Sequence, residues 1–534
     1  MKKTILYLLS FTTLCKLQAQ SIDEAKDFIA HERYKSAENT LHTLLQQKPD
    51  QAEAWYWLAE SYIAQNESNN AADSLQKAIA LSGQPYYQVA YGSILLQQGK
   101  ADSAQNYFSQ ALSETKEKDA GILAAIARAE VEAPKGNIPY ALELIEKAQK
   151  RDKKDISLVI LKGDAYSRQH NGSEAYKAYT DATNRESKNA VAYTRIGDIF
   201  LTQKNSEIYL DYYNKAVAAD PTYAPAWYQL YQYYFYHDPS RALEYFDHYN
   251  SNTDKDIKNK YAYTDLLYLT KKYPEAIENA NQLLGQPNGQ PRLYKLLAYS
   301  YEGLKDTSKA ITNMNLYFTH EADSNFIAKD YESMAAWQQG NMDSAMFYYS
   351  KAVDLVKDSA ARYAYFKKLA DMSEKNKNYS AQALWLGKYN SHNDRATNLD
   401  LFNWGLANFR AGQYEGADSV FGKYTEKYPE QGFGYYWRAR ANVAIDTAME
   451  KGLAIPHYQK LVEIISKDST NATNKKWLVE AYAYMAAYET NTKKDYPQAI
   501  SYFEKLLAID PNNADAKKYV AILQKRVEDN NSSK

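Results

Sequence analysis

Cysteine is nearly absent from this chain: among 534 residues there is one, Cys15. Disulfides therefore cannot hold the protein together, and no Cys-x-x-Cys pair is present to bind zinc. Histidine is scarce as well. The eight are His31, His42, His170, His237, His248, His320, His392 and His457, and none lies four residues from another, so no HExxH-type metal site is spelled out. Phosphate-cradling loops of the GxGxxG or GKS/GKT kind are missing. Neither sign of charge is in excess. With 64 Lys and Arg against 65 Asp and Glu, the formal charge is −1, and a nucleic-acid partner is not expected. Beyond the first twenty residues no apolar run is long enough to span a bilayer. The expectation is a chain with no catalytic residue, no cofactor and no metal site. Carboxylate pairs such as Asp23-Glu24 are read as solvated helix surface.

The first residues carry an export pattern. Lys2 and Lys3 precede a short apolar stretch from Ile5 to Leu14, and Ala19 offers a small side chain for cleavage, although Leu17 at −3 is bulky for that role. The reading is a signal peptide over residues 1–19 and a mature protein in the periplasm or associated with the outer membrane, with no integral membrane segment. Cleavage there removes Lys2, Lys3 and Lys16, which takes the formal charge from −1 to −4, and also removes Cys15. Lipidation of Cys15 is the alternative, against which stands the large Leu14 before it.

What the chain has in abundance is tyrosine, 51 residues of it. Tyrosine buries a large ring while keeping a polar tip wet, which suits a protein with much half-buried surface. The chain also has a rhythm. An alanine returns about every 34 residues, at Ala37, Ala71, Ala104, Ala141, Ala175, Ala242, Ala276, Ala310, Ala345, Ala417, Ala454 and Ala499, with Tyr209 and Gln382 where two more would fall. Four residues later comes a bulky apolar side chain such as Leu41, Leu75, Phe108, Tyr179, Tyr213, Phe246 or Phe421. Offsets of 0, 4 and 7 lie on one helical face. A fixed period over most of a chain means stacked helical units. Each unit reads as two antiparallel helices, with the small residue of the first (Gly163, Gly197) facing the small residue of the second (Ala175, Ala182) and large residues filling the space between units.

These residues resemble the tetratricopeptide repeat (TPR) family. Ala226-Trp227-Tyr228-Gln229-Leu230 with Tyr234, Ala242 and Phe246 matches its signature. So do Ala54-Trp55, Leu58-Ala59, Tyr62, Ala71 and Leu75, and Tyr294, Leu297-Ala298, Tyr301 and Ala310. The resemblance implies an all-α fold, a right-handed superhelical solenoid of about fourteen helix-turn-helix repeats over residues 20–511. Residues 512–534 read as a capping helix from Ala514 to Glu528 followed by a disordered tail. Extra length appears around Glu489 to Asp495. The polar stretch from Ser251 to Lys260 lacks apolar periodicity and is either a longer loop or an articulation between two halves of the solenoid.

In that family the first helices line a concave groove that holds a peptide or partner helix. By phase, the resemblance places Tyr56, Asp164, Arg168, Asp198, Tyr228, Gln232, Phe235, Tyr236, Lys295, Tyr299, Trp337, Phe402, Phe409, Arg410, Tyr436 and Arg440 along it. No unit matches the family's clamp for C-terminal carboxylates. The candidate partner-binding residues are Tyr228, Phe235, Tyr236, Trp337, Phe402, Phe409, Arg410, Tyr436 and Arg440. Trp227 to Tyr236 is the densest aromatic run; Trp227, Leu230 and Tyr234 are accounted for by packing, and Tyr228, Phe235 and Tyr236 fall on the other face. Tight winding against another unit is the alternative use for them.

A recurring Asp-Ser/Thr-apolar tripeptide, as in Asp73-Ser74-Leu75 and Asp102-Ser103-Ala104, resembles an O-glycosylation signal of some bacterial envelope proteins; first-turn capping explains it more simply. The expected function is a non-catalytic scaffold of the bacterial envelope that binds a protein or peptide. A glycan or small-molecule binder using a tyrosine-lined groove is the alternative, and self-association is left open.

Overall fold

The computed structural model describes residues 21–532 apart from 288, 322–325, 339, 469 and 470. The readings of the leader and of Cys15 lie outside the described residues. Among the described residues there are 29 α-helices and no strand. The chain divides into two compact units, Met1–Asp306 and Thr307–Lys534. In unit 1 the first helices of the leading pairs are α1 (Ile22–Ala30), α3 (Ala52–Ala64), α5 (Pro85–Gln97), α7 (Ala120–Glu132), α9 (Ile156–Arg168), α11 (Ala190–Thr202) and α13 (Ala224–His237). Their partners are α2 (Tyr34–Gln47), α4 (Ser68–Leu81), α6 (Ala101–Thr115), α8 (Ile138–Arg151), α10 (Gly172–Arg185), α12 (Ser206–Ala219) and α14 (Pro239–Asn252).

The alanine rhythm is the core of the fold. Ala37, Ala71, Ala104, Ala141, Ala175 and Ala242 expose no surface, and the residues four positions on, Leu41, Leu75, Phe108, Ile145, Tyr179 and Phe246, are buried with them. One expectation needs correction. The small residue of the first helix does not face the small residue of the second. It lies under the large one: a Cβ on Gly92, Gly163 or Gly197 would overlap the ring of Phe108, Tyr179 or Tyr213, and in unit 2 Gly405 meets Phe421 in the same way. A flat ring needs the room a missing side chain leaves, and the bulk of the second helix is met by the gap in the first.

Most turns between the helices of a pair share one geometry. Their middle residue has left-handed backbone: Gly99 and Gly412, but also Glu32, Asn66, His170, Lys204 and Lys377. The following helix is often capped by Asn, as at Asn171 and Asn205, whose side chains accept from Glu174 and Ile208 amides. The extra length near Glu489 is absorbed as a π-turn over Glu489–Lys493. The final helix, Ala514–Ser532, runs past Glu528 without a break, since neither Gly nor Pro interrupts it. The tail expected to be disordered from Asp529 is thus helical to Ser532; residues 533–534 lie outside the described residues.

Residues 251–260 lie inside unit 1 and shrink to the link between α14 and the next helix, Ile257–Leu269. The link fastens unit 1 to its own beginning. Arg33 stands at the N-cap of α2 and gives no side-chain cap. Instead Asp254 accepts hydrogen bonds from the Lys35 and Ser36 amides at 2.7 and 3.1 Å and from Ser36 Oγ at 2.5 Å. A carboxylate at the orphan amides of a helix start is the favoured charge there. Beside it, His31 Nε2 lies 3.1 Å from Asp220 Oδ2 in the α12–α13 link. Seven helix pairs therefore complete a turn that closes on itself within unit 1.

Candidate functional site

The glycine–ring pairing sets polar groups as well as apolar ones. Asp164 follows Gly163, and Asp198 follows Gly197. The phenol lying on each glycine donates to that next carboxylate: Tyr179 Oη to Asp164 at 2.7 Å and Tyr213 Oη to Asp198 at 2.9 Å. Where the ring is phenylalanine, over Gly92 and Gly405, the next residue is Ser93 or Leu406 and no carboxylate is held. Glu60 follows Ala59 and Arg128 follows Ala127 at the same step of α3 and α7. That step turns each side chain away from the second helix and onto the inner wall of the turn.

Closure of unit 1 brings these distant side chains together. Arg195 Nε lies 3.2 Å from Asp164 Oδ1 and its Nη1 3.8 Å from Asp198 Oδ2. Glu32, in the left-handed α1–α2 turn, feels both Arg195 and Asp198 from across the turn. Glu60 shares its field with Arg128 and Glu132, and the Tyr56 hydroxyl bonds to it. Burial pushes the Glu60 carboxyl up to about 7, against the pull of Arg128. Burial likewise raises Glu32, Glu132 and Asp198 above the usual carboxylate range. It holds the Tyr34 phenol up at about 12, helped by Glu32 and Glu132. Glu32, Arg128 and Glu132 nonetheless keep water contact, so protein surrounds this space without filling it. Arg168 does not join the cluster: it donates to the Val131 and Ala133 carbonyls at 3.2 and 3.0 Å and ties the end of α7 to α9.

The aromatic candidates fall into separate groups. On α13, Tyr236 is 83% and Tyr228 40% exposed, and Phe235 is half-buried with its ring 5.0 Å from that of Tyr236. In unit 2, Phe402, Phe409 and Tyr436 surround Trp437, with ring centroids 6.5, 5.2 and 5.6 Å from it. Arg440 lies over Trp437, Phe409 and Tyr436 at 5.3, 5.7 and 5.7 Å. Burial removes Trp337 (7% exposed) and Tyr436 (4%) from the residues a partner can touch. The Tyr436 hydroxyl is spent on Glu480 at 3.0 Å and its ring on Trp477 at 4.4 Å. Arg410 stands apart, bonded to Glu374 at 2.9 Å. Of the tripeptide hydroxyls, that of Ser74 is buried and donates to the Asn70 carbonyl, whereas Ser103 is exposed.

Sequence phase nominated Tyr56, Asp164 and Asp198 of the inner cluster and missed Glu32, Tyr34, Glu60, Arg128, Glu132 and Arg195. For Glu60 and Arg128 the signal was available, since each follows the small residue of its first helix. A surface depression of about 960 Å³ lies elsewhere, between α6 and α8 beside Tyr140 and Lys147. Lys147 is already paired there with Glu117 and Glu143, at 3.0 and 3.1 Å.

Models of the tetratricopeptide repeat match residues 22–85, 190–223, 333–359, 401–430 and 481–513, and a tetratricopeptide repeat-like domain matches 96–199. Together they cover more than half of the chain. A probable UDP-N-acetylglucosamine–peptide N-acetylglucosaminyltransferase SPINDLY of Solanum lycopersicum is 29% identical over 102 residues. The match takes in 19% of this chain and spans only 11% of that protein. The C-terminal part of a TPR repeat-containing protein from Cytophaga hutchinsonii is 28% identical, with 48% of this chain and 98% of that one covered, at a TM-score of 0.29. A tetratricopeptide repeat protein from Parabacteroides merdae is 20% identical over 48% of this chain and 98% of that one, at a TM-score of 0.27.

Proposed function

We propose that this chain, which belongs to the tetratricopeptide repeat family, is a non-catalytic scaffold of the bacterial cell envelope that holds a protein partner against the inner faces of its first helices. Proteins of this family bind protein or peptide partners, and no helix among the described residues is long and apolar enough to cross a membrane. The envelope assignment rests on the export pattern of Lys2, Lys3, Ile5 to Leu14 and Ala19. One observation carries the binding reading: carboxylates, arginines and tyrosines from the α1–α2 turn, α3, α7, α9 and α11 converge on one water-accessible wall in unit 1. Accessible aromatic rings on α13 add a second contact surface.

The test is cross-linking in intact cells from photoreactive residues placed at Phe235 and at Phe409, read by mass spectrometry. A reproducible protein partner at either position is the expected outcome. Self-cross-links alone would make a second copy the occupant. No cross-link from a folded protein overturns the protein-binding reading and favours a glycan, which the accessible rings of Tyr228 and Tyr236 can stack upon; added oligosaccharide would then shift the tryptophan fluorescence.

A further inference from the structure

The closed turn of unit 1 meets itself along a seam whose bonds are polar. The apolar cluster of α1–α5 and the cluster that holds Tyr223 share no residue. Across the seam stand the Asp254 cap on α2 and the His31 contact with Asp220. His31 faces an acceptor with each ring nitrogen. Nδ1 lies 2.8 Å from the Asp27 carbonyl oxygen of its own helix, and Nε2 3.1 Å from Asp220 Oδ2 on the other side. A neutral imidazole has one N–H and cannot donate to both. Thr222 Oγ1, 3.3 Å from Nε2, gives no relief, because it donates its proton to Asp220 Oδ1 at 2.6 Å. The arrangement is therefore that of an imidazolium.

The surrounding charges agree. The Asp27 carboxylate lies 3.5 Å from Nδ1. Arg33 is turned elsewhere, over the Phe28 ring at 4.6 Å and 3.4 Å from Ser36 Oγ. Glu32 faces Arg195 and Asp198. Tyr223, its ring 6.4 Å from that of His31, has a phenol that burial raises and keeps neutral. Burial raises the Asp220 carboxyl, but Thr222 and His31 lower it further, to a net value below the ordinary range.

We propose that this seam is a proton-operated latch: protonated His31 bonds α1 to the α12–α13 link and holds the turn of unit 1 closed, and loss of one proton to solvent releases it. If Nδ1 keeps its proton, the Nε2 lone pair faces the Asp220 carboxylate. If Nε2 keeps it, the Nδ1 lone pair faces the Asp27 carbonyl. Either way a charge-assisted bond gives way to a repulsive contact. Asp254 takes its bonds from amides and a hydroxyl, and supplies the part of the closure that does not follow His31. The latch is shut below the ordinary imidazole value of about 6.5 and weakens as pH climbs through the raised value in the fold.

Electron–electron resonance between spin labels at Asn39→Cys on α2 and Asn250→Cys on α14, both exposed, reads the seam. The mature chain expected from cleavage at Ala19 contains no other cysteine. The labelled chain should show one short distance at about pH 5.5, and a longer-distance population that grows severalfold by about pH 8.5. His31→Gln removes the titrating group. Asp220→Asn keeps an oxygen for Thr222 and removes the charge facing Nε2. Each variant, folded by circular dichroism, should give the same distances at both pH values. A distance in the labelled parent chain that ignores pH overturns the latch, as does a pH response that survives in folded Asp220→Asn. Should His31→Gln fail to fold, Asp220→Asn alone decides.

Discussion

Unit 1 and unit 2 are built from the same repeat and treat their first helices differently. In unit 1 the residue after the small one is charged in α3, α7, α9 and α11, and closure of the turn gathers those charges where water reaches them. In unit 2 the comparable region around the helices Asn398–Arg410 and Gly432–Ile445 is aromatic, and Phe402, Phe409 and Trp437 pack round Arg440, with Glu480 3.8 Å from it. One guanidinium among rings and near a carboxylate is a satisfied arrangement. In unit 1 the aspartates are satisfied differently, by tyrosine hydroxyls and Arg195. The difference shows that a repeat fixes the framework through its small and large core positions and leaves the next position free to vary.

The comparison is broken most strongly through what the units share. Gly163→Val forces a branched side chain into the Tyr179 ring and is expected to cost about 3 kcal/mol or more, with Gly405→Val doing the same against Phe421. Gly83→Ala, which has open space, serves as the control in thermal melting. If Gly163→Val melts like wild type, the ring does not depend on the glycine.

A smaller effect separates the units by pH. The folded Glu60 carboxyl titrates near 7, above its unfolded value, so its neutral form is favoured in the fold. It opposes folding increasingly as pH rises from about 4.5 to about 7, and the penalty is full above that. Glu60→Gln should then stabilise unit 1 by about 1–2 kcal/mol at pH 8 and by little near pH 4. Urea titrations at both pH values check it, and an equal gain at each would assign the effect to something other than charge.

The mildest change tests the closure. Asp254→Ala removes the borrowed cap of α2 at a cost of about 1 kcal/mol and should speed hydrogen exchange at the Lys35 and Ser36 amides, leaving unit 2 unchanged. The neighbouring His31 contact has the same pH sense as Glu60, because both pKa values are raised in the fold. Burial lowers the His31 pKa, but the Asp27 carbonyl and Asp220 raise it further, to a net value above the ordinary one. Its stabilisation is therefore full below about 6.5 and is lost as pH climbs through the raised value. Unchanged exchange in Asp254→Ala would mean that the link does not hold the turn closed.

Much of this was legible without coordinates. The alanine period with its bulky residue four positions on gave the helix pairs and the core, because helical spacing alone decides which side chains share a face. The family resemblance, carried along that phase, nominated Asp164 and Asp198. Pairing of Gly163 with Tyr179 was misread, since period tells which residues face inward but not which opposing residue each one meets. The aromatic candidates were placed by the family's groove positions, and burial of Trp337 and Tyr436 depends on neighbours that periodicity does not specify.

By itself, then, the sequence determined an all-α array of helix pairs, its repeat length, its core positions and its lack of disulfides, all of which follow from local periodicity and residue type. Only the tertiary structure decided that residue 254 caps a helix beginning at residue 34, and that Glu32, Glu60, Glu132, Asp164 and Asp198 share one space. Those facts arise from small rotations added over seven successive pairs. No local pattern encodes where such a sum returns upon itself.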